Sequence, residues 1–276
     1  MDLSQRCHDA ELMDDVSITG PRVERALAEI ATVNRLLGGI STSLAGLRPF
    51  LAGRRQPVRV LDVGTGGADI PLAIASWCRR ERIPIRIVAI DVGADACRIA
   101  RARTRDAPEV EVCRADVFAL PFPPRSFHLA HCAMVLHHFT QSEIARILTT
   151  LATIVTEGIV INDLRRHPVA YHGIRLLTRI FSRSRLVRND APLSVRRGFQ
   201  AADLDDLRDR CGFSGFRYRH AYAYRYLCEV ALGPDDIGPR EGARDGDRGA
   251  EGAGAEGAGP DTATSVDSRF DGAATR

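Results

Sequence analysis

The chain has 276 residues, a length that suits one domain of ordinary size with additions, and 45% of them are hydrophobic, which is enough for a sizeable core. The formal net charge is only +3, so the composition predicts no strong general attraction to nucleic acid. Lysine is absent and every basic residue is arginine, which excludes a P-loop lysine and a Schiff-base lysine.

The seven cysteines are scattered along the chain and form no Cys-x-x-Cys pair. This pattern is typical of a reducing compartment, and it predicts neither a disulfide framework nor a metal site. The polar start of the chain does not resemble a signal peptide, and no run of about 20 apolar residues predicts a membrane-spanning helix. We therefore expect a cytoplasmic protein without bound metal.

Residues 1–55 are predicted to form a helical cap. Apolar residues recur at helical spacing from Pro21 to Leu37, with proline at the start and two glycines after the end, and a second helix is predicted from Ser41 to Ala52. Two interpretations stay open: these helices form a lid over a substrate, or their apolar faces are ordinary packing.

The segment from Val58 to Ile74 predicts a buried strand, a glycine turn and the start of a helix. A dinucleotide-binding turn would place a third glycine at position 69, but Asp69 stands there and would repel a pyrophosphate. Together with Asp62 at the strand end, it favours a ligand with a positive amino group and no phosphate. S-adenosylmethionine fits both observations, whereas the pyrophosphate-containing cofactor of an NAD-dependent dehydrogenase does not.

Further strands are predicted at residues 86–91, 110–117, 128–134 and 158–163. Each ends near a polar residue, and the carboxyl ends of parallel strands meet at one edge of the sheet, where ligands bind. An acid at position 91 is placed to accept hydrogen bonds from ribose hydroxyls. The five strand ends carry Asp62, Asp91, Asp116, His138 and Asp163.

The order of these motifs resembles the class I S-adenosylmethionine-dependent methyltransferases, and most of all the small-molecule branch that includes the ubiquinone and menaquinone biosynthesis methyltransferases. The motifs are Asp-x-Gly-x-Gly-Gly from Asp62, Ala-Asp-Val at 115–117, Leu-Pro-Phe-x-x-x-x-Phe from Leu120 and Leu-His-His at 136–138. The resemblance covers residues 56–232. It implies an α/β Rossmann-like, doubly wound, seven-stranded sheet with an antiparallel last strand, for which residues 215–220 and 222–231 are the closing pair.

The cofactor expected from motif and resemblance together is S-adenosylmethionine. We expect its binding residues to be Asp62, Gly64, Thr65, Gly66, Gly67, Asp69, Asp91, Val92, Ala115, Asp116 and Val117.

Three residues are candidates for the base that takes a proton from the substrate that accepts the methyl group. Histidine suits this task at neutral pH, and His137 and His138 lie at the predicted end of the fourth strand. Adjacent residues of an extended segment cannot both face a pocket, so at most one of the two is the base. The resemblance favours His138, because related methyltransferases more often have a polar residue at this position. Asp163 is the rival base, and in that case Asn162 would orient the methyl acceptor. Alternatively, neither histidine is a base, and they cap the following helix or contact the cofactor.

Residues 164–188 contain seven arginines and no acid, with apolar residues at helical spacing. This helix is interpreted as a solvated basic face, as a cover for a lipophilic pocket, or as a weak contact with an anionic membrane. Residues 190–199 are predicted to form a loop whose Ser194, Arg196, Arg197 and Phe199 contact the acceptor, before a helix at 201–211. Residues 233–276 have almost no apolar bulk and are predicted to be a disordered tail.

We therefore predict a methyltransferase that acts on a small, lipophilic phenolic or quinone-like metabolite of secondary metabolism, with O-methylation favoured over C-methylation. The alternatives are a non-catalytic S-adenosylmethionine-binding protein of the same fold and a nucleic-acid methyltransferase. The latter would need an Asp/Asn-Pro-Pro-Tyr/Phe tip at the fourth strand, where this chain has Leu136-His137-His138-Phe139. We expect no nucleic-acid partner.

Overall fold

The structure is a computed structural model that describes residues 3–15, 17–233 and 236. Most of the predicted tail, 233–276, lies outside these residues. Within the described part, no helix combines the length and the apolar character needed to cross a membrane.

A seven-stranded sheet with the order β3-β2-β1-β4-β5-β7-β6 forms the centre of the fold. Its first five strands pair in parallel, and β7 runs antiparallel to both β5 and β6. This confirms the predicted fold class. The strands are β1 (Val58–Val63), β2 (Ile85–Asp91), β3 (Val110–Arg114), β4 (Phe127–Ala133), β5 (Val155–Leu164), β6 (Gly215–Ala221) and β7 (Arg225–Ala231).

Helices cover both faces of this sheet. Successive strand residues alternate in direction, so Leu61 and Val63 pack in the layer with α5 and α8, while Val58 and Val60 pack in the layer with α2 and α3. The helices are α1 (Pro21–Leu36), α2 (Gly39–Leu51), α3 (Asp69–Arg80), α4 (Ala94–Arg103), α5 (Gln141–Ile154), α6 (Pro168–Phe181), α7 (Arg185–Arg197) and α8 (Ala201–Cys211).

The two N-terminal helices have different surroundings. Leu47 and Leu51 of α2 are fully buried against the sheet, and a Cβ atom added at Gly46 would lie 2.5 Å from a side-chain carbon of Val160. Helix α1 instead places Leu27 and Ile30 beside the carboxyl ends of the strands. The cap therefore consists of one core helix and one helix next to the candidate site.

The prediction of a loop at residues 190–199 is wrong, because α7 runs through most of this segment. The Ser184 hydroxyl caps its first turn by accepting a hydrogen bond from the Val187 N–H, and Leu186, Val187 and Val195 are buried. Pro192 removes one backbone hydrogen bond from the helix, and the tertiary packing of its buried face offsets this loss.

Candidate active site

A cavity of about 700 Å³ lies at the carboxyl ends of β1 to β4, beneath α1. The structure places all the residues that we expected to bind the cofactor around this one cavity. They are Asp62, Gly64, Thr65, Gly66, Gly67, Asp69, Asp91, Val92, Ala115, Asp116 and Val117.

The turn after β1 requires glycine at its first position. Gly64 has a φ of +71°, and a Cβ atom there would lie 2.5 Å from a side-chain carbon of Val135. Asp91, at the end of β2, holds the same turn by accepting a hydrogen bond from the N–H of Gly66 (2.8 Å), and its other carboxylate oxygen accepts one from the N–H of Gly93 in the loop after β2 (2.9 Å). The turn is therefore shaped before any ligand enters.

Three carboxylates, those of Asp62, Asp69 and Asp91, line the cavity, and none of the described arginines does. Burial raises the pKa of Asp69 and of Asp91, and Asp62 is only 3% exposed. Asn34 on α1 donates a 3.2 Å hydrogen bond to Asp69, and the sequence analysis did not single it out. A positively charged ligand would offset the energetic cost of burying these carboxylates, whereas a pyrophosphate would be repelled by them.

Asp62 has a buried support that sequence reasoning missed. His131 on β4 pairs in register with Asp62, and its Nδ1 lies 2.6 Å from the Asp62 Oδ1. The His131 Nε2 contacts the hydroxyl of Ser43 on α2 at 2.9 Å. The sequence feature that could have revealed this support is His131 itself, a polar residue in the middle of a mostly apolar strand.

The hydroxyl of Thr65 points to a further ligand contact. It is buried without a hydrogen-bond partner, although Thr65 lines the cavity. Buried polar atoms are nearly always satisfied, so the unpartnered oxygen fits a site whose ligand carries hydrogen-bonding groups. The amino-acid and ribose moieties of S-adenosylmethionine supply such groups.

Of the three candidate bases, His138 lines the cavity, while His137 and Asp163 do not. His137 and Asp163 are each about 2% exposed and form a contact of 2.6 Å between Nδ1 and Oδ1. The Asp163 carboxylate also accepts backbone hydrogen bonds from Leu136, His137 and Leu164. Asn162 is fully buried too, and it donates to the Gly39 carbonyl.

The electrostatics of this buried pair differ from those of an exposed histidine. Burial alone would lower the pKa of His137, but the charge and hydrogen bond of Asp163, together with Glu11, raise it to about 9. Burial alone would raise the pKa of Asp163, but the positive charge of His137 holds it below the ordinary value. At neutral pH the pair is therefore an imidazolium and a carboxylate.

The side chains of residues 194–199 that we expected to contact the methyl acceptor contact the N-terminal segment of the chain instead. The Ser194 hydroxyl donates to the Glu11 carboxylate at 2.8 Å, and Arg197 donates to Asp14 at 2.7 Å. Phe199 is 1% exposed and lies beneath the guanidinium of Arg6. None of the residues from 164 to 199 lines the cavity, so α6 does not cover it.

Glu11, His137 and His138 bring three potential metal-ligand atoms within 4.8 Å of one another. The Nε2 of His137 lies 3.7 Å from the Glu11 carboxylate and has no hydrogen-bond partner. With a pKa raised to about 9, His137 carries a proton on this nitrogen at neutral pH, and that proton competes with a metal ion.

Comparison with known proteins agrees with this geometry. A family model described as a methyltransferase domain matches residues 60–158, which contain most of β1, all of β2 to β4, the glycine turn and the two histidines. The match covers residues 60–158 only, and together with the sheet order it shows that the chain has the fold of the S-adenosylmethionine-dependent methyltransferases. The cavity fits S-adenosylmethionine as the cofactor.

Among individual proteins, the chain is similar to a demethylmenaquinone methyltransferase of Thermus thermophilus, with 33% identity over 95 residues. The aligned part is 34% of this chain and spans 41% of that relative. A solved methyltransferase from Aquifex aeolicus matches with a TM-score of 0.56 and 17% identity over 78% of this chain and its own full length. Human N-acetylserotonin methyltransferase, solved with S-adenosylmethionine, matches with a TM-score of 0.55 and 17% identity, covering 77% of this chain and 56% of its own.

Proposed function

We propose that the protein transfers the methyl group of S-adenosylmethionine to a hydroxyl of a small, lipophilic, phenolic or quinone-like metabolite. The observation that carries this proposal is the cavity lining. Asp62, Asp69 and Asp91 face the cavity, and none of the described arginines lines it. Bound there, S-adenosylmethionine supplies a methyl group activated by a sulfonium charge, and its two positive centres compensate the buried carboxylates.

The apolar part of the cavity lining supports a lipophilic acceptor. It includes Met13, Ile18, Leu27 and Ile30 from the first 30 residues of the chain, together with Phe139. Such walls favour a flat, apolar ring with few polar groups. The similarity to a demethylmenaquinone methyltransferase supports a quinone-like acceptor, and O-methylation is favoured over C-methylation because a histidine lies beside the cavity.

His138 is the proposed base. In the transfer, the bond between sulfur and methyl breaks, the bond between acceptor oxygen and methyl forms, and the hydroxyl proton passes to His138. The remainder of the catalysis is alignment of donor and acceptor, which is worth ~7–11 kcal/mol in favourable cases. His137 and Asp163 support the turn that carries His138 and do not touch the acceptor.

A nucleic-acid substrate fits the site less well. Nine carboxylates line the cavity, and they would repel a phosphate backbone: Glu11, Asp14, Asp15, Asp62, Asp69, Asp91, Asp95, Asp116 and Glu143. A non-catalytic S-adenosylmethionine-binding protein is the second candidate, and only turnover distinguishes it. The role in secondary metabolism and the cytoplasmic location stay predictions.

The cofactor is tested by calorimetric titration of S-adenosylmethionine and S-adenosylhomocysteine. We expect binding by the wild-type protein and a loss of roughly 1.5–3 kcal/mol in Asp91→Asn, the scale for a hydrogen bond to a charged group. Asp106→Asn is the matched control, because Asp106 is exposed and lies outside the cavity. Folded wild-type protein that binds neither ligand would refute the proposal.

The acceptor class is tested with a panel of phenols, quinols and catechols incubated with S-adenosylmethionine, followed by mass spectrometry of the products. A methyl group found on oxygen supports O-methylation, and one found on a ring carbon would correct the favoured chemistry. Cofactor binding without any methylated product across the panel would favour the non-catalytic protein.

A further inference from the structure

His138 is hydrogen-bonded to a residue 124 positions earlier in the chain. Its Nδ1 lies 2.7 Å from the Oδ1 of Asp14, and both residues line the cavity. Asp14 belongs to the N-terminal segment, residues 3–15, from which Glu11, Met13, Asp14 and Asp15 line the cavity. The proposed base therefore has a carboxylate partner supplied by a distant part of the chain.

The second oxygen of Asp14 is also held. Its Oδ2 accepts a 2.7 Å hydrogen bond from Arg197 on α7 and a 2.9 Å hydrogen bond from the N–H of Glu11. Arg197 donates in addition to the carbonyl of His138 at 2.7 Å. One guanidinium thus ties the carboxylate to the backbone of the histidine that it contacts.

Asp14 acts on His138 as an acceptor only. Burial alone would raise the pKa of Asp14, but its hydrogen bonds with His138, Arg197 and the backbone N–H of Glu11 hold it well below its ordinary value. An ionised carboxylate accepts the Nδ1–H of a neutral imidazole. The lone pair then resides on Nε2, the nitrogen that is free to accept a proton.

We propose that Asp14 is a positioning residue that holds His138 in the Nδ1–H tautomer with Nε2 directed to the acceptor. This inference rests on the proposed function, in which His138 takes the acceptor's proton. The equivalent arrangement in hydrolases shows that a carboxylate behind a histidine selects the tautomer without itself accepting the proton.

Because Asp14 lies on the N-terminal segment, His138 has its carboxylate partner only when that segment is docked against the rest of the domain. The N–H groups of Leu12 and Met13 donate to the buried carboxylate of Asp190 on α7, at 2.9 and 3.0 Å. Arg6 donates to the carbonyls of His137 and Phe139, on either side of His138. These contacts hold the segment in one position, and an undocked segment would leave His138 without its partner.

The tautomer is tested by ¹⁵N NMR of the histidine side chains in the complex with S-adenosylhomocysteine, which requires no turnover. We expect the His138 signals to report the Nδ1–H form in the wild type and a mixture of tautomers in Asp14→Asn. Asp9→Asn is the matched control, because Asp9 lies on the same segment, pairs with Arg196 on α7 and does not touch His138. Unchanged His138 signals in Asp14→Asn would overturn the inference.

Kinetics with an accepted substrate supply the second test. We expect Asp14→Asn to lower kcat by roughly 10- to 1,000-fold, with cofactor affinity unchanged and partial rescue by Asp14→Glu. In a His138→Gln background the same substitution should have little further effect, because the histidine to be positioned is gone. Fully additive losses would overturn the inference. If the wild type turns over no acceptor, the proposed function fails, while the NMR result still decides the hydrogen bond.

Discussion

The Nδ1 of His137 lies 2.6 Å from the Oδ1 of Asp163, and this buried pair joins the turn after β4 to the end of β5. The contact holds the backbone of the turn that contains His138 in place. A charged pair enclosed in this way makes the stability of the fold depend on pH.

We expect the free energy of unfolding to fall as pH rises from about 6.5 to about 9. The folded-state pKa of His137 is raised to about 9 from a model-compound value of 6.5, so its contribution is complete below 6.5 and is lost as pH rises through 9. For Asp163, with a lowered pKa, the contribution is present above its ordinary value of 3.8 and is lost at lower pH. Urea unfolding at pH 6, 7.5 and 9 measures the first effect.

His137→Gln is the control for this pH dependence, and it should flatten the curve in that range. Asp163→Asn should lose about 3–5 kcal/mol, because it leaves a buried charge without its partner. A wild-type stability that is constant between pH 6 and 9 would contradict the assignment of an imidazolium at position 137.

His138→Gln should lower kcat by about 10²–10⁴-fold, because the substitution removes the proposed base from the cavity while leaving the glycine turn intact. Affinity for S-adenosylhomocysteine should stay at the wild-type value in calorimetry. His172→Gln, which changes an exposed histidine on α6, serves as the control. Wild-type kcat in His138→Gln would exclude His138 as the base.

Removal of divalent metal should leave methyl transfer unchanged. The three donors of Glu11, His137 and His138 are close together, but the raised pKa of His137 keeps a proton on it at neutral pH, in competition with any cation. Activity measured after dialysis against EDTA tests this expectation. A loss of activity that Mg²⁺, Mn²⁺ or Zn²⁺ restores would show that the donors form a metal site.

Gly64→Ala should destabilise the protein and weaken cofactor binding, since alanine is strained at a φ of +71° and its Cβ would lie 2.5 Å from Val135. We expect a loss of roughly 1–3 kcal/mol in stability. Gly67→Ala is the comparison, because the close contact of its Cβ would be with the flexible end of the Arg103 side chain, and Gly67 has no positive φ. Equal melting temperatures for the two variants would contradict this reasoning.

Helix α6 should bind anionic vesicles. Val169, Leu176 and Ile180 share one face of the helix and are 56–61% exposed. The segment 164–188 contains no acid, and five of its arginines are exposed: Arg175, Arg179, Arg183, Arg185 and Arg188. Cosedimentation should show binding to vesicles with anionic lipid, little binding to zwitterionic ones, and a decrease with added salt. The double variant Leu176→Ser/Ile180→Ser should bind less. Wild-type protein that stays in the supernatant with anionic vesicles would exclude membrane contact.

The sequence by itself determined the sheet and the cofactor end of the cavity. The strand, turn and helix at residues 58–74 form a local unit, and parallel strands bring Asp62, Asp91 and Asp116 to one edge whatever the rest of the chain does. The residues expected around the cofactor lie at or just after a strand end, in the glycine turn or at the start of α3, so local patterns were sufficient to bring them to one cavity.

Only the tertiary structure decided how the other polar residues are used. Asp163 lies at the carboxyl end of a strand as Asp91 does, yet it is enclosed by His137 and three backbone N–H groups. Asp14 contacts His138 across 124 residues, and Asp190 holds Leu12 across 178. The physical reason is that burial and charge pairing depend on which distant segments pack together, and neither periodicity nor spacing along the chain encodes those contacts.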